Sequence, residues 1–250
     1  HGQMRKAMKR SEINRYMEEA LEFWENLGFR LPPYARWSID EWEAHAAECK
    51  EIFDLQIGWD ITAFGSEDFL RTGLSLYTLR NGRLHSAQYP KPYAEKIMMV
   101  RENQVTPRHF HWNKQEDFIN RGGGNLVIEL FKADPQKNRI AGGEFIVSVN
   151  GMSRTLRSGD RVVLTPGESI TIKPFHAHRF YGEKGSGPSM IGEVSMVNDD
   201  NDDNCYLDEA VRFDSIAEDQ PVRYPLACEY RTLIQAKTSV LQASLNRICS

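Results

Sequence analysis

The chain has 250 residues, a formal net charge of −4 and a pI near 6.0, so it lacks the basic surface that nucleic-acid binding requires. It contains no run of about 18 apolar residues, and no basic segment followed by an apolar one opens it. We therefore expect neither a membrane span nor a secretory signal. The four cysteines are scattered without a CxxC motif, which is typical of reduced thiols in a cytoplasmic protein.

Two amphipathic helices are predicted near the start of the chain, after residues 1–7, which resemble an expression remnant. In the first, Lys9–Leu27, apolar residues recur at helical spacing, and Gly28 ends it. The second, Ser38–Phe53, opens with Ser38 and Glu41, the spacing of a capping box. We expect the helical segment, residues 8–55, to pack outside the domain that follows.

From residue 56 to residue 233 the pattern changes to short extended segments separated by turns. Asn81-Gly82 and Asn150-Gly151 are typical of type I′ hairpin turns. Many short strands predict an all-β antiparallel barrel or sandwich. Residues 234–250 change character again and are either a helical tail or a segment foreign to the protein. The predicted strands are Ile61–Phe64, Gly73–Arg80, Lys96–Arg101, Thr106–Trp112, Leu126–Lys132, Gly143–Val149, Met152–Leu156, Arg161–Leu164, Ser169–Ile172, Ala177–Tyr181 and Met190–Val197.

Four of the seven histidines form two His-x-His pairs. In a strand alternate side chains share a face, so His109 and His111 point the same way, and so do His176 and His178. Glu116 follows, about where the first strand is expected to give way to a turn. Imidazoles combined with a carboxylate suit Zn, Mn, Fe, Co or Ni, and we favour this interpretation over ordinary strand histidines.

The two motifs resemble those of the cupin superfamily, small antiparallel barrels that hold a metal inside. The strings HFHWNKQEDFINRGGGNLVIELF and GEVSMVNDDNDDNCYL are also similar to the D-lyxose isomerase family of cupin-type sugar isomerases. His176 and His178 lie on the same face of the predicted strand, so alternation alone does not show which of them is the metal ligand. The cupin pattern favours His178. The resemblance implies one divalent ion per subunit, Mn(II) first and Zn(II), Co(II) or Fe(II) as alternatives, held by His109, His111, Glu116 and His178.

The resemblance also implies a reaction: D-lyxose with D-xylulose, and D-mannose with D-fructose, interconverted through a metal-stabilised cis-enediolate. Glu193, flanked by apolar residues on a predicted strand, is our candidate base, and Lys96 is our candidate acid or oxyanion partner. We expect a homodimer, because barrels with exposed flanking strands commonly pair. The predicted substrate-binding residues are His176, Lys114, Asp117, Glu129 and Arg179.

Two other functions use the same barrel. A cupin dioxygenase would employ Fe(II) with the same ligands, and a sugar-binding cupin would employ the pocket without catalysis. The first differs from an isomerase in needing oxygen. The second is less consistent with a metal that keeps open coordination positions, which mark a catalytic site.

Overall fold

The computed structural model describes residues 7–199 and 202–236. The predictions for residues 1–6 and 237–250 lie outside the described residues. The helices are α1 (Arg10–Asn26), α2 (Ile39–His45) and α3 (Lys50–Asp54), with 3-10 turns at Pro33–Arg36 and Ala227–Glu229 and a π-helical turn at Arg231–Gln235. The strands are β1 (Met8–Lys9), β2 (Gly58–Thr62), β3 (Leu74–Arg80), β4 (Tyr93–Val100), β5 (His109–His111), β6 (Glu116–Gly123), β7 (Leu126–Asp134), β8 (Arg139–Ala141), β9 (Glu144–Val149), β10 (Met152–Arg157), β11 (Asp160–Leu164), β12 (Ser169–Ile172), β13 (His176–Gly182), β14 (Ser189–Met196), β15 (Asn204–Tyr206) and β16 (Ile216–Ala217).

Two antiparallel sheets form the body of the molecule. One has the order β10-β9-β12-β6-β14-β4-β3-β2, and the other has the order β11-β7-β13-β5-β15 with β8 beside β7. Alternate side chains from both sheets meet in one apolar core, for example Met98 and Phe118 from the first sheet with Ile128 and Phe180 from the second. This arrangement confirms the predicted all-β antiparallel barrel.

The helices pack outside this barrel, as predicted. In β4, Ile97 and Met99 face α1, whereas Met98 between them faces the core, as the two-residue period of a strand requires. Trp24 of α1 stacks on Trp59 of β2 with ring centroids 5.8 Å apart. The apolar stripe of α1 therefore covers one end of the larger sheet. No helix among the described residues has the length and apolar character needed to cross a membrane.

The first predicted helix is confirmed to within one residue at each end, but the second is broken. Ser38 caps α2 through a capping box with Glu41, as predicted. The helix then stops at His45, and α3 begins only at Lys50. The break allows Trp42 and Phe53 to pack together on Tyr230, with ring centroids 5.0 and 5.1 Å from it.

One of the two predicted hairpin turns is wrong. Asn150 and Gly151 have φ of 54° and 77°, as a type I′ turn between β9 and β10 requires. Asn81-Gly82 instead opens a long connection between β3 and β4. The Asn81 amide donates to the carbonyls of Leu55 (3.3 Å) and Asn198 (3.1 Å), and these contacts hold it out of a tight turn.

The prediction that Glu116 lies where a strand ends is also wrong. Glu116 is the first residue of β6, an eight-residue strand in the larger sheet, whereas His109 and His111 lie on β5 in the smaller sheet. Residues 112–115 carry the chain from one sheet to the other. The glutamate consequently faces the histidines across the barrel interior.

A buried arginine ties α1 to the C-terminal part of the described chain. Arg10 is fully buried, and its guanidinium donates to the carboxylates of Glu218 (2.7 Å) and Glu229. The side chain of Glu229 is only 12% exposed. Removal of the arginine would leave this carboxylate buried without a cation.

We predict that Arg10→Ala lowers the free energy of unfolding by about 3–5 kcal/mol, the usual effect of breaking a buried ion pair from one side. Urea denaturation measures this change. Arg15→Ala is the matched control on the same helix, because the Arg15 side chain is 59% exposed and lies 3.7 Å from Glu19. Its effect should stay within about 0.5 kcal/mol. Equal effects of the two variants would contradict this account of Arg10.

Candidate metal centre

Three strands bring three imidazoles and one carboxylate together inside the barrel. His178 on β13 lies directly opposite His109 on β5, and His111 is two residues further along β5 on the same face. Glu116 approaches from β6 in the other sheet. One ligand atom from each of His109, His111, Glu116 and His178 lies within 4.8 Å of the other three. The alternation of side chains along each strand and the register between paired strands therefore account for the cluster.

Backbone carbonyls fix the orientation of two of these rings. The Nδ1 atom of His109 lies 3.0 Å from the carbonyl oxygen of Pro107, and that of His178 lies 3.0 Å from the carbonyl oxygen of His176. A carbonyl can only accept, so in each ring Nδ1 carries the hydrogen and donates it. The Nε2 lone pair is then free, as a metal ligand requires.

A cation would fit between the atoms that converge on Glu116. Its Oε1 atom lies 3.1 Å from Nε2 of His178 and 3.2 Å from Nε2 of His111. All three atoms are buried, and among the described residues they have no hydrogen-bond partner. Two ligand atoms about 2.1 Å from one ion at a right angle would be about 3 Å apart, which matches these separations. The residues present therefore fit a divalent metal ion.

The electrostatics of the cluster also favour a cation. Burial opposes the charge on Glu116, but the Lys114 ammonium and the neighbouring His111 outweigh burial and hold the pKa of Glu116 well below its usual range. Burial, together with repulsion from His178 and His111, lowers the pKa of His109 well below its usual value. His109 consequently stays neutral, the form that binds metals.

A chain of alternating charges continues from the cluster along the barrel interior. The Lys114 ammonium lies 2.9 Å from Glu116 and 3.0 Å from the Glu193 carboxylate. Lys96, the cross-strand neighbour of Glu193, lies 3.3 Å from the same carboxylate oxygen and donates to Asn198 at 2.7 Å. Burial opposes the charge on Lys114, but the two glutamates outweigh burial and raise its pKa. Glu193, Lys96 and Lys114 are thus held together next to the cluster.

These groups surround one cavity, which adjoins a larger groove. His109, His111, Lys114, Glu193 and Lys96 all line the cavity, together with apolar core residues. A groove of about 690 Å³ adjoins it, and Lys114 and Asn198 line both. A small molecule in the groove would therefore lie beside Lys114, which borders the cavity as well.

Some of the predicted substrate-binding residues face the inside of the barrel and others face the outside. Lys114 faces the cavity. Asp117 has the opposite strand parity to Glu116, and Glu129 has the opposite parity to the core residues of β7, so both lie on outer faces. Glu129 pairs there with Arg179 and with Arg161 at 2.9 Å. Apolar residues lie on both faces of β7 around Glu129, so the local pattern gave no signal of its outward position. The assignment of Asp117, Glu129 and Arg179 to substrate binding stays a prediction.

His176 lies apart from the four converging ligand atoms. Its ring is half-buried with its centroid 5.0 Å from that of Phe145, and it does not line the cavity. Burial and the nearby Lys173 lower its pKa. Its backbone carbonyl nevertheless accepts from His178 and so orients that ring. A substrate contact by the His176 side chain stays a prediction.

Sequence reasoning missed one residue beside the cluster. Asp203 was not among the predicted metal ligands or acid–base groups, but its carboxylate is buried and lies 3.5 Å from Nδ1 of His111. Burial opposes its charge, but His111 and the backbone N–H groups of Asn113 and Lys114 outweigh burial and lower the pKa of Asp203. No local pattern distinguishes Asp203 from the other aspartates of the loop, because the contact joins residues 92 positions apart.

Comparison with known proteins gives one consistent result. A sequence profile described as D-lyxose isomerase matches residues 8–230. The chain is 47% identical over 228 residues to a D-lyxose/D-mannose isomerase of Serratia proteamaculans, covering 91% of this chain and 100% of that one. It is 46% identical over 225 residues to the protein of the same name from Escherichia coli O157:H7, covering 90% and 99%.

Two solved structures share the fold. The L-ribose isomerase of Cellulomonas parahominis matches with a TM-score of 0.54 and 16% identity, and that of Acinetobacter sp. DL28 matches with a TM-score of 0.58 and 13% identity. Each match covers 86% of this chain and 100% of the other. At this level of identity the likeness shows the fold alone, and it confirms the predicted cupin-type barrel.

The geometry separates the roles of His178 and His176, which share a strand and a parity. We predict that His178→Ala reduces the bound Mn(II) or Co(II) from about one ion per chain to near zero, because one converging ligand atom is lost. His176→Ala is the matched control and should keep the metal, because its backbone carbonyl remains. Elemental analysis after dialysis measures the metal content. Loss of metal from the His176 variant alone would contradict the assignment.

Proposed function

The chain belongs to the D-lyxose isomerase family, and from that premise we propose that it interconverts D-lyxose with D-xylulose, and D-mannose with D-fructose, using one divalent metal ion. Its action as a sugar isomerase follows from the family. The choice of sugars rests on the names of the two relatives. The structural observation that carries the proposal is the placement of Glu193 and two lysines in the same cavity as the converging His and Glu side chains.

Three histidines and one glutamate would hold the ion, with Mn(II) as the expected metal and Zn(II), Co(II) or Fe(II) as alternatives. When bound, a divalent ion with open positions supplies Lewis-acid polarisation and orientation of sugar oxygens. Membership of the family favours this function over the Fe(II) dioxygenase and the sugar-binding protein that the barrel also suggests. The protein side chains must then supply the proton transfers.

Moving a carbonyl from C1 to C2 requires two proton shifts. The hydrogen on C2 leaves as a proton and returns to C1, while the hydroxyl proton of O2 is transferred to O1. We assign the first shift to Glu193, because its buried carboxylate lines the cavity and can carry one proton between neighbouring carbons. Lys96 and Lys114, 3.3 and 3.0 Å from that carboxylate, would stabilise negative charge on the sugar oxygens.

Carboxylates accompany the cations of the cavity. Lys96 and Lys114 share Glu193, Lys114 also lies 2.9 Å from Glu116, and Arg212 pairs with Asp60 at 2.5 Å. Free aldoses are proposed as substrates because the names of the two relatives specify unphosphorylated sugars. The homodimer and the cytoplasmic location expected from the sequence stay predictions.

We predict that the Mn(II)-loaded protein converts D-lyxose and D-mannose but turns over D-xylose and D-glucose at least roughly 10-fold more slowly. The second pair are the C2 epimers of the first, so the C2 hydrogen would face away from Glu193. Ketose formation, assayed with and without oxygen, measures the rates. Activity should disappear with a chelator and return with Mn(II) or Co(II). Failure of the metal-loaded protein to convert D-lyxose would contradict the proposal.

We predict that Glu193→Gln lowers kcat by a factor of roughly 10²–10⁴, the usual effect of removing a general base, while metal content is kept. In D₂O the native enzyme should introduce deuterium at C1 of the ketose, and the variant should lose this exchange. Glu95→Gln is the control, because Glu95 lies two residues from Ile97 on the outer face of β4 and pairs with Arg80 at 2.6 Å. Complete retention of a C2 deuterium label by the native enzyme would indicate hydride transfer and remove the need for a base.

A further inference from the structure

The loop that precedes β15 reaches back to the candidate metal centre. Asp203 accepts hydrogen bonds from the backbone N–H of Asn113 (2.8 Å) and of Lys114 (3.2 Å), and its own carbonyl accepts from the N–H of Trp112 (3.2 Å). These contacts hold residues 112–115, the segment that connects β5 of one sheet with β6 of the other. Asp203 is therefore fixed beside the segment that follows His111.

The carboxylate of Asp203 also faces the imidazole of His111. Its Oδ2 atom lies 3.5 Å from Nδ1 of His111, and the two side chains are 9% and 5% exposed. No carbonyl holds this ring, in contrast to His109 and His178, and Nδ1 has no hydrogen-bond partner among the described residues. The separation exceeds that of an ordinary hydrogen bond by about 0.5 Å. A small rotation of the ring would close it.

We propose that Asp203 is a positioning residue that fixes the tautomer and orientation of His111, so that Nε2 of His111 is presented to the metal ion. The inference rests on the metal site of the proposed function. An ionised carboxylate can only accept a hydrogen bond, so the hydrogen of His111 is directed to Nδ1. The lone pair of Nε2 then faces Glu116, 3.2 Å away. A carboxylate partner also makes the imidazole a stronger ligand than a carbonyl partner does.

The same contacts couple the metal ligand to Lys114. Asp203 holds the backbone N–H of Lys114, whose ammonium lies 3.0 Å from Glu193. One buried carboxylate thus orients a metal ligand through its side chain and places the lysine next to the candidate base.

The decisive variant is Asp203→Asn. The amide oxygen can still accept from Asn113, but the amide nitrogen takes the place of Oδ2, where it loses the contact to the backbone N–H of Lys114, faces Nδ1 of His111 and donates. Nδ1 must accept, and the hydrogen moves to Nε2, where it blocks metal binding. We expect the dissociation constant for Co(II), measured by competition with a chromophoric chelator, to rise 10- to 100-fold.

Asp202→Asn is the matched control, because it removes the same charge from an exposed position of the same loop. Its Co(II) affinity should equal that of the native chain. The urea midpoints of both metal-free variants are compared with the native value, because a fall confined to Asp203→Asn measures the lost contact to the Lys114 N–H and separates loop stability from positioning. If Asp203→Asn binds Co(II) as tightly as Asp202→Asn, the proposal is wrong. If the native chain binds no Co(II), the proposed metal site itself fails.

A second measurement needs no variant. In the Zn(II)-loaded native protein, the Nδ1–H proton of His111 should give a downfield imidazole resonance that exchanges slowly with water, because a buried carboxylate accepts it. The N–H protons of His109 and His178, which face neutral carbonyls, should resonate less far downfield. A His111 proton that exchanges rapidly would overturn the proposal even if Asp203→Asn does not fold.

Discussion

The structure depends on one electrostatic constraint, the meeting of lone pairs at Glu116 in the centre of the barrel. Oε1 of this carboxylate faces Nε2 of His111 and Nε2 of His178 at 3.2 and 3.1 Å and has no hydrogen-bond partner in the described part of the chain. The carbonyl that accepts from Nδ1 of His178 leaves its Nε2 as a lone pair. Unpaired lone pairs at this distance inside a protein are costly unless a positive charge lies among them. The arrangement therefore favours a bound cation at this point.

The fold supplies that arrangement because the cluster bridges two sheets. Two strands of the smaller sheet provide the histidines, and β6 of the larger sheet provides Glu116. The larger sheet also carries Glu193 and Lys96 as cross-strand neighbours on its inner face. A shift of one residue in any of these strands would turn the polar groups outward and bring their neighbours inward. The candidate metal ligands and the candidate acid–base groups thus depend on the same strand register.

The sequence predicted features that follow from the alternation of side chains along a strand. It missed features that depend on which sheet each strand joins. The convergence of His109, His111 and His178 follows from alternation and from the family resemblance. The position of Glu116 in the opposite sheet could not be predicted in this way. Alternation shows on which face of its strand a side chain lies, but not which sheet that strand joins. Outward-facing Glu129 was suggested for substrate binding, and the apolar residues on both faces of β7 beside it gave no signal of its position.

The contacts of Asp203 illustrate the same limit, because no local pattern shows which loop aspartate reaches His111. The central claim, that the four side chains hold one divalent ion, is tested most directly by anomalous scattering from a crystal grown with Mn(II). We predict one strong peak about 2.0–2.3 Å from the His109, His111 and His178 nitrogens and from a Glu116 oxygen. An ion bound elsewhere, or a His178 ring turned out of the barrel, would contradict the account.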